Sequence, residues 1–182
     1  LSLQTIEEYG VTFAMGAPSS MEMLCRAQEK NPVDLSRLKG LVTMGAPFEK
    51  AACERYMKVL TPNFFNDTAT TETLWNSFLR PYDLPEHAGT AGRSCIDDEV
   101  RVVKAYDDHK AEPDEMVAHD SKETGEIIIF CPEKTTYSYY NNPSEQEKKF
   151  YKGWMYTGDL GTWDEDWFVT ICGRKDDMII CS

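Results

Sequence analysis

The sequence predicts an α/β protein in which a β-α-β-α-β part of a parallel sheet is followed by a β-rich subdomain that closes as a small distorted barrel. Three observations carry that expectation. Short apolar runs alternate with amphipathic helical stretches as far as Asn66, which calls for crossover connections and parallel strands. Beyond Trp75 the texture changes to short strands separated by acidic turns. The length, 182 residues, allows one sizeable domain or two small ones with a real core. The predicted division is residues 1–80 for the α/β part and 81–173 for the β-rich part, with 174–182 as a connecting tail.

Residues 3–8 have the pattern of a helix closed by Gly10, followed by a strand at 11–14. Ser19 with Glu22 three residues later makes a capping box behind Pro18, so a helix should run to Lys30 with Met21, Leu24 and either Cys25 or Ala27 inward. Asn31-Pro32 ends it. Residues 41–44 form the next buried strand and end in Gly45-Ala46-Pro47. Residues 49–60 follow as a helix with Ala52, Cys53, Tyr56, Met57, Val59 and Leu60 at helical spacing, and 64–66 as a third strand. Ligands collect beyond the carboxyl ends of parallel strands, here Gly45-Ala46-Pro47 and residues 68–72.

Pro81, Pro85, His87, Gly89 and Gly92 mark a loop, after which 99–104, 126–130 and 168–172 are predicted strands. The charged segment 107–124, with Pro113, is expected to be an exposed tip or connection. His87, His109 and His119 lie in polar loops and are expected to be solvated, with no catalytic role.

The formal net charge of −12 argues against a nucleic-acid backbone or an anionic membrane as the main partner, because both repel a chain of this sign. The longest apolar runs, such as Ile127-Ile128-Ile129-Phe130, are strand-sized, so no bilayer span is expected. No signal peptide is read. The six cysteines are scattered without metal-ligand spacing, which points to reduced, packed thiols and a cytoplasmic location.

The chemistry concentrates near the end of the sequence. Gly153-Trp154-Met155-Tyr156-Thr157-Gly158-Asp159-Leu160 reads as an aromatic turn carrying one carboxylate. A short strand and Gly173-Arg174-Lys175-Asp176-Asp177 follow. An ionised Asp159 has two acceptor oxygens, which suit the paired 2′ and 3′ hydroxyls of a ribose. Arg174 is a permanent, fork-shaped donor able to hold hydroxyls or phosphate in two places. Considered alone, each dipeptide reads first as a surface turn.

These blocks resemble the shared motifs of the adenylate-forming (AMP-binding) enzyme superfamily, which comprises acyl-CoA synthetases, adenylation domains of peptide synthetases and luciferases. The stretch Asp67-Thr68-Ala69-Thr70-Thr71-Glu72 resembles the family's Tyr-Gly-Thr-Thr-Glu block and stands in the family's order. The resemblance implies a truncated acyl-CoA synthetase-like N-terminal domain. The implied reaction joins a carboxylic acid to the α-phosphorus of ATP and passes the acyl group to CoA. It further implies a catalytic role for Thr71 and Glu72, with Glu72 at Mg²⁺. Thr70 stands beside Thr71 as a hydroxyl facing the α-phosphate, and Gly45, Ala46, Pro47, Thr68 and Ala69 line the adenine. Asp159 and Arg174 hold the ribose of ATP or AMP, and Asp176 is the hinge to a C-terminal domain.

The sequence departs from the pattern at Thr68, where the family has an adenine-stacking aromatic, at Ala69, where it has glycine, and at Trp167, which replaces the glycine of an Asp-Gly turn. The Ser/Thr/Gly-rich phosphate loop and the lysine-bearing C-terminal domain of the family are absent from these 182 residues. The expectation is therefore a piece of a larger enzyme, inactive alone. Two other readings remain: an adenylation domain that serves a carrier protein, and a non-catalytic nucleotide-binding or interaction module.

Overall fold

A computed structural model describes residues 2–44, 49–134 and 138–177. Two compact units emerge, Leu1–Thr68 with Phe78–Gly92, and Ala69–Ser77 with Arg93–Ser182.

In the first unit, helix α1 (Leu3–Tyr9) is capped by the Ser2 side chain, which accepts from the Thr5 amide, and ends at Gly10 with φ 58°. The amide of Val11 donates to the Ile6 carbonyl to close that end. This commits Val11 to the helix cap, and strand β1 (Phe13–Gly16) starts two residues later than the apolar run suggests. Helix α2 (Pro18–Lys30) is capped by Ala17 with no side-chain bond, so the expected capping box is not formed. Pro18 at the first turn has no amide to satisfy and presets φ, which moves the helix start ahead of Ser19. Glu22 is spent elsewhere: it accepts from Arg26, Arg55 and Tyr56.

Strand β2 (Gly40–Met44), helix α3 (Lys50–Val59) and strand β3 (Phe64–Thr70) complete the run. Strand β1 pairs with β2 in parallel, Phe13 opposite Gly40, and β2 pairs with β3 in parallel, Leu41 opposite Phe64. The expected parallel β-α-β-α-β is present. A Cβ at Gly40 would lie 2.5 Å from the exposed Phe13 ring, which would have to swing aside to admit it. Met21, Leu24, Cys25, Leu41, Cys53, Tyr56 and Phe64 are all buried in this unit. Burial raises the Cys53 thiol to about 11. Arg55 on α3 reaches Glu22 at 2.9 Å and Glu29 at 2.7 Å on α2, which fixes the two helices against each other.

Residues 74–79 form a strand, β4 (Leu74–Leu79), where the sequence reading assigned no element. Its inward positions include Asn76 and Ser77, 2% and 3% exposed, so a buried strand carries no apolar signal there.

The second unit contains β5 (Arg93–Ser94), β6 (Glu99–Val103), β7 (Gly125–Phe130), α4 (Pro143–Lys149), β8 (Phe150–Tyr151), β9 (Trp154–Trp163), β10 (Val169–Arg174) and a 3-10 turn at Lys175–Asp177. Strands β10, β9, β7 and β6 pair antiparallel in that order, with β8 on β9, and the sheet curls as a half-barrel. The aromatic turn of the sequence reading is in fact its longest described strand, β9. Residues 143–149, to which the sequence reading assigned no element, form a helix with Pro143 in its first turn, and the Asn142 side chain accepts from the Glu145 amide.

The segment 107–124 is also less exposed than its charge suggests. Ala111 and Val117 are 2% and 3% exposed, and Ala111 packs with Val103, Ile128, Trp154 and Tyr156. The Tyr156 hydroxyl donates to the Ala111 carbonyl at 2.5 Å, and the Trp163 indole donates to the Val117 carbonyl at 3.1 Å. His119 stacks on Trp163, ring centroids 3.9 Å apart, with Trp167 edge-on at 4.3 Å, so it is not a solvated loop residue. Cys25, Cys53 and Cys131 are buried free thiols, while Cys172 is exposed.

Candidate functional site

Two irregularities in the second sheet bring Asp159 and Arg174 together. Between Glu126 opposite Leu160 and Ile128 opposite Tyr156, strand β9 carries two more residues than β7, so Thr157, Gly158 and Asp159 bulge out of the ladder. Gly158 sits there at φ 76°, a region costly for residues with a Cβ. Side chains replace the lost ladder partners. The Thr157 hydroxyl donates to the Ile127 carbonyl at 2.7 Å and accepts from the Asp159 amide at 3.0 Å. The Gly158 amide donates to Glu126 Oε1 at 3.3 Å.

Strand β10 has its own irregularity at Cys172, since Ile171 faces Gly161 and Gly173 faces Leu160. Arg174 thereby falls opposite Asp159, and its Nη1 donates to Asp159 Oδ1 at 2.7 Å. The Asp159 side chain is about a quarter exposed and that of Arg174 half exposed. The pair presents a free carboxylate oxygen and the remaining guanidinium donors on one rim, a set able to take two neighbouring hydroxyls.

Glu126 is a residue that sequence reading used only as the start of a strand. It is 5% exposed, and its second oxygen accepts from Lys175 at 3.0 Å, so one carboxylate joins the Gly158 bulge to the residue after Arg174. A buried carboxylate between a glycine amide and a cation leaves no mark in a linear pattern. Gly158, Lys175 and Asp176 border a cleft of about 480 Å³ whose rim also carries Lys148, Lys149 and Asp108.

The second cluster lies on the turn between β3 and β4. Thr70 ends β3, Thr71 is exposed, and Glu72 is half-buried. The Tyr139 hydroxyl donates to Glu72 Oε1 in a short bond. Burial, and then this contact with Glu72, push the Tyr139 phenol up to about 12, so it remains a donor at neutral pH. Thr71, Glu72, Ser138, Tyr139, Gln146 and Phe150 line a cavity of about 250 Å³. The sequence reading gave Tyr139 no role.

The remaining sequence-predicted positions are dispersed or not described. Thr68 belongs to the first unit and donates to the Ala91 carbonyl at 3.4 Å, and Ala69 is exposed. Asp176 is exposed in the 3-10 turn. Gly45, Ala46 and Pro47 lie outside the described residues. Among the described residues no three His, Cys, Asp or Glu side chains form a metal-holding group. Glu72 by itself suits an ion such as Mg²⁺, which keeps most of its shell as water and phosphate oxygen. No described helix is long and apolar enough to cross a membrane.

A unit with a parallel sheet followed by an antiparallel half-barrel is the architecture of the N-terminal domains of adenylate-forming enzymes. The chain belongs to the AMP-binding enzyme family, whose model matches residues 1–140. It is similar to the long-chain-fatty-acid–CoA ligase of Salmonella typhimurium strain LT2, 26% identical over 180 residues, which cover 99% of this chain and 30% of that protein. It is also similar to a 4-chlorobenzoate–CoA ligase of an Arthrobacter species, 27% identical over 98% of this chain and 32% of that protein. Among solved structures, O-succinylbenzoate coenzyme A synthetase (MenE) of Bacillus subtilis, in complex with ATP and magnesium, superposes with a TM-score of 0.81 at 26% identity. That match covers 99% of this chain and 35% of the other. The amide bond synthetase McbA of Marinactinospora thermotolerans gives 0.81 at 25% identity, covering 98% and 34%. The chain thus spans about a third of the length of the relatives it matches.

Proposed function

We propose that this chain is part of an AMP-forming acid–thiol ligase that activates a carboxylic acid as its acyl-adenylate and transfers the acyl group to CoA. The observation that carries the reading is the Asp159–Arg174 pair, 2.7 Å apart across two bulges, with acceptor and donor capacity left over. Asp159 accepts the ribose 2′ and 3′ hydroxyls and Arg174 steadies them. Thr70 and Thr71 face the α-phosphate side, and Glu72, released from Tyr139, takes a position at the metal. Mg²⁺ would there neutralise charge on the phosphate oxygens as pyrophosphate leaves. Gly45, Ala46, Pro47, Thr68 and Ala69 border the adenine.

The reaction needs alignment more than covalent help. An oxygen of the substrate carboxylate attacks the α-phosphorus, the bond to the bridging oxygen breaks, and the protein holds the ends in line. Residues 1–80 supply the adenine and phosphate motifs, and residues 81–173 are the β-rich part. Residues 174–182 connect it onward, with Asp176 as the pivot between adenylation and thioester formation. The relatives named for long-chain fatty acids and 4-chlorobenzoate point to an apolar acid, as in fatty-acid metabolism, and the scattered cysteines to work in the cytoplasm. McbA favours one alternative, in which an amine replaces CoA as acyl acceptor.

The test is pyrophosphate release by the full-length protein that contains this chain, with Mg²⁺ and ATP, across a panel of carboxylic acids with and without CoA. Release set by one acid class, with thioester formed only in the presence of CoA, is the expected result. No release from a folded protein refutes the reading. Asp159→Ala is expected to raise the apparent KM for ATP by about tenfold, the loss of one charge-assisted contact. An unchanged KM removes Asp159 from the ribose.

A further inference from the structure

The bulge that carries Asp159 is held at a single peptide bond by two side chains of opposite charge. Lys149, the last residue of α4, donates from Nζ to the Thr157 carbonyl oxygen at 3.1 Å. Glu126, on β7, accepts from the Gly158 amide through Oε1 at 3.3 Å. The Thr157 carbonyl and the Gly158 amide belong to one peptide plane, and in a trans peptide they point to opposite sides. The plane is therefore gripped at both ends, by an ammonium at its oxygen and a carboxylate at its proton. The preceding lysine, Lys148, pairs instead with Glu145 at 2.6 Å. Glu126 is fixed in turn, since its second oxygen accepts from Lys175 at 3.0 Å.

The grip has one sense only. Turning the plane over would set the oxygen against the Glu126 carboxylate and the amide proton against the Lys149 ammonium, so two attractive contacts would become two repulsive ones. Gly158 makes that distinction matter. Without a Cβ it adopts φ of either sign, so the residue itself does not select the φ of 76° found here. The two charges select it. Asp159 is the next residue, and its path to Arg174 starts from this plane.

We infer that Lys149 and Glu126 are positioning residues that pre-form the bulge and so aim Asp159 before any ligand arrives, an inference that rests for its ligand on the proposed ribose contact. Where other shapes of the bulge compete, a nucleotide binds only the aimed fraction, and its apparent affinity falls by that fraction. Neither Lys149 nor Glu126 has to touch the nucleotide to produce this effect.

The experiment has two arms, both on the full-length protein that contains this chain. Lys149→Met removes the ammonium, Lys149→Arg keeps a donor, and Lys148→Met removes an equal charge one position away. In hydrogen–deuterium exchange without nucleotide, Lys149→Met should speed the Gly158 and Asp159 amides at least about tenfold, leaving the Ile128 and Ile129 amides at the parent rate. Lys149→Arg and Lys148→Met should stay within about twofold at all four. MgATP should bind Lys149→Met about tenfold more weakly, whereas the magnesium complex of 2′,3′-dideoxy-ATP, which offers Asp159 no hydroxyls, should bind variant and parent within about twofold of each other. Glu126→Gln, close in shape to the native side chain, should follow Lys149→Met in both arms and takes its place if that variant does not fold.

Unchanged exchange at Gly158 overturns the inference, as does acceleration spread equally over Ile128 and Ile129. A loss of affinity that persists with the dideoxy nucleotide puts Lys149 on the phosphates and overturns it too. A parent protein that binds both nucleotides equally, or neither, counts against the ribose contact and the proposed function, and the exchange arm still decides whether the two charges hold the bulge.

Discussion

Replacing Gly158 by alanine separates the cost of the bulge from the cost of crowding. At φ 76° the backbone of Gly158 lies in the left-handed region, where a residue with a Cβ costs about 1–2 kcal/mol. The new Cβ would meet Lys149 Nζ at 3.5 Å and Arg174 Nη2 at 3.6 Å, ordinary contacts that add nothing. The expected loss is therefore about 1–2 kcal/mol, a fall in Tm of about 2–8 °C for a chain of this size. Gly153 is the control, with φ 81° and its nearest Cβ contact at 3.5 Å to the Phe130 ring. Gly153→Ala should lose similar stability and keep nucleotide affinity, while Gly158→Ala should lose both, because Asp159 is aimed from the bulge. Gly125→Ala is the opposite case: its Cβ would lie 2.1 Å from the Val103 carbonyl oxygen, which is backbone and cannot turn aside. Its loss should exceed that of the other two. Urea and thermal unfolding with an MgATP titration would measure all three. A Gly158→Ala chain with unchanged Tm, or one less stable than Gly125→Ala, refutes the reasoning.

Glu22 gives a pH signature, since hydrogen bonds from Arg26, Tyr56 and Arg55 lower its carboxyl from 4.5 to about 2. The charged form is favoured by folding, so the contribution is complete above pH 4.5 and is lost as pH falls toward 2. Glu22→Gln should flatten the dependence of Tm on pH in that window, and an unchanged slope would count against the cluster. Burial pushes the Cys53 and Cys131 thiols up to about 11. A thiol reagent at pH 8, read by mass spectrometry, should label the exposed Cys172 first and reach Cys53 and Cys131 only in urea. Leu41 has no exposed surface, and Leu41→Ala should cost about 2–5 kcal/mol in urea unfolding.

The parallel half was legible because each element carried its own period. Met21, Leu24 and Cys25 repeat at helical spacing, and Leu41 and Phe64 stand in runs bounded by turn residues. The misses have a common physical origin, in that a long-range partner overrides a local pattern. Glu22 had the spacing of a capping box but found Arg55 on another helix. Asn76 looks like a loop residue and is buried in a strand, where it donates to Asp98, distant in sequence. Gly158 and Asp159 read as a turn, and the chain does turn aside there, but within a strand whose pairing to β7 resumes on either side. At the candidate site the residue types were legible and their joining was not: Asp159 and Arg174 stood out singly, whereas Glu126, Tyr139 and Lys149 acquire roles only from what lies beside them.

The two bulges differ in parity. Strand β9 carries two extra residues against β7, an even number, so Tyr156 and Leu160 stay in phase and both are buried. Strand β10 carries one extra residue against β9, an odd number, and beyond Cys172 every side chain changes face. An insertion or deletion of two residues around Gly158 would preserve the alternation of the strand, whereas a change of one would interchange Leu160 and Thr162 with Gly161 and Trp163 throughout its second half. The length of this segment is thus quantised in pairs on one strand, and on its neighbour a single residue decides whether Arg174 faces Asp159 or turns away from it.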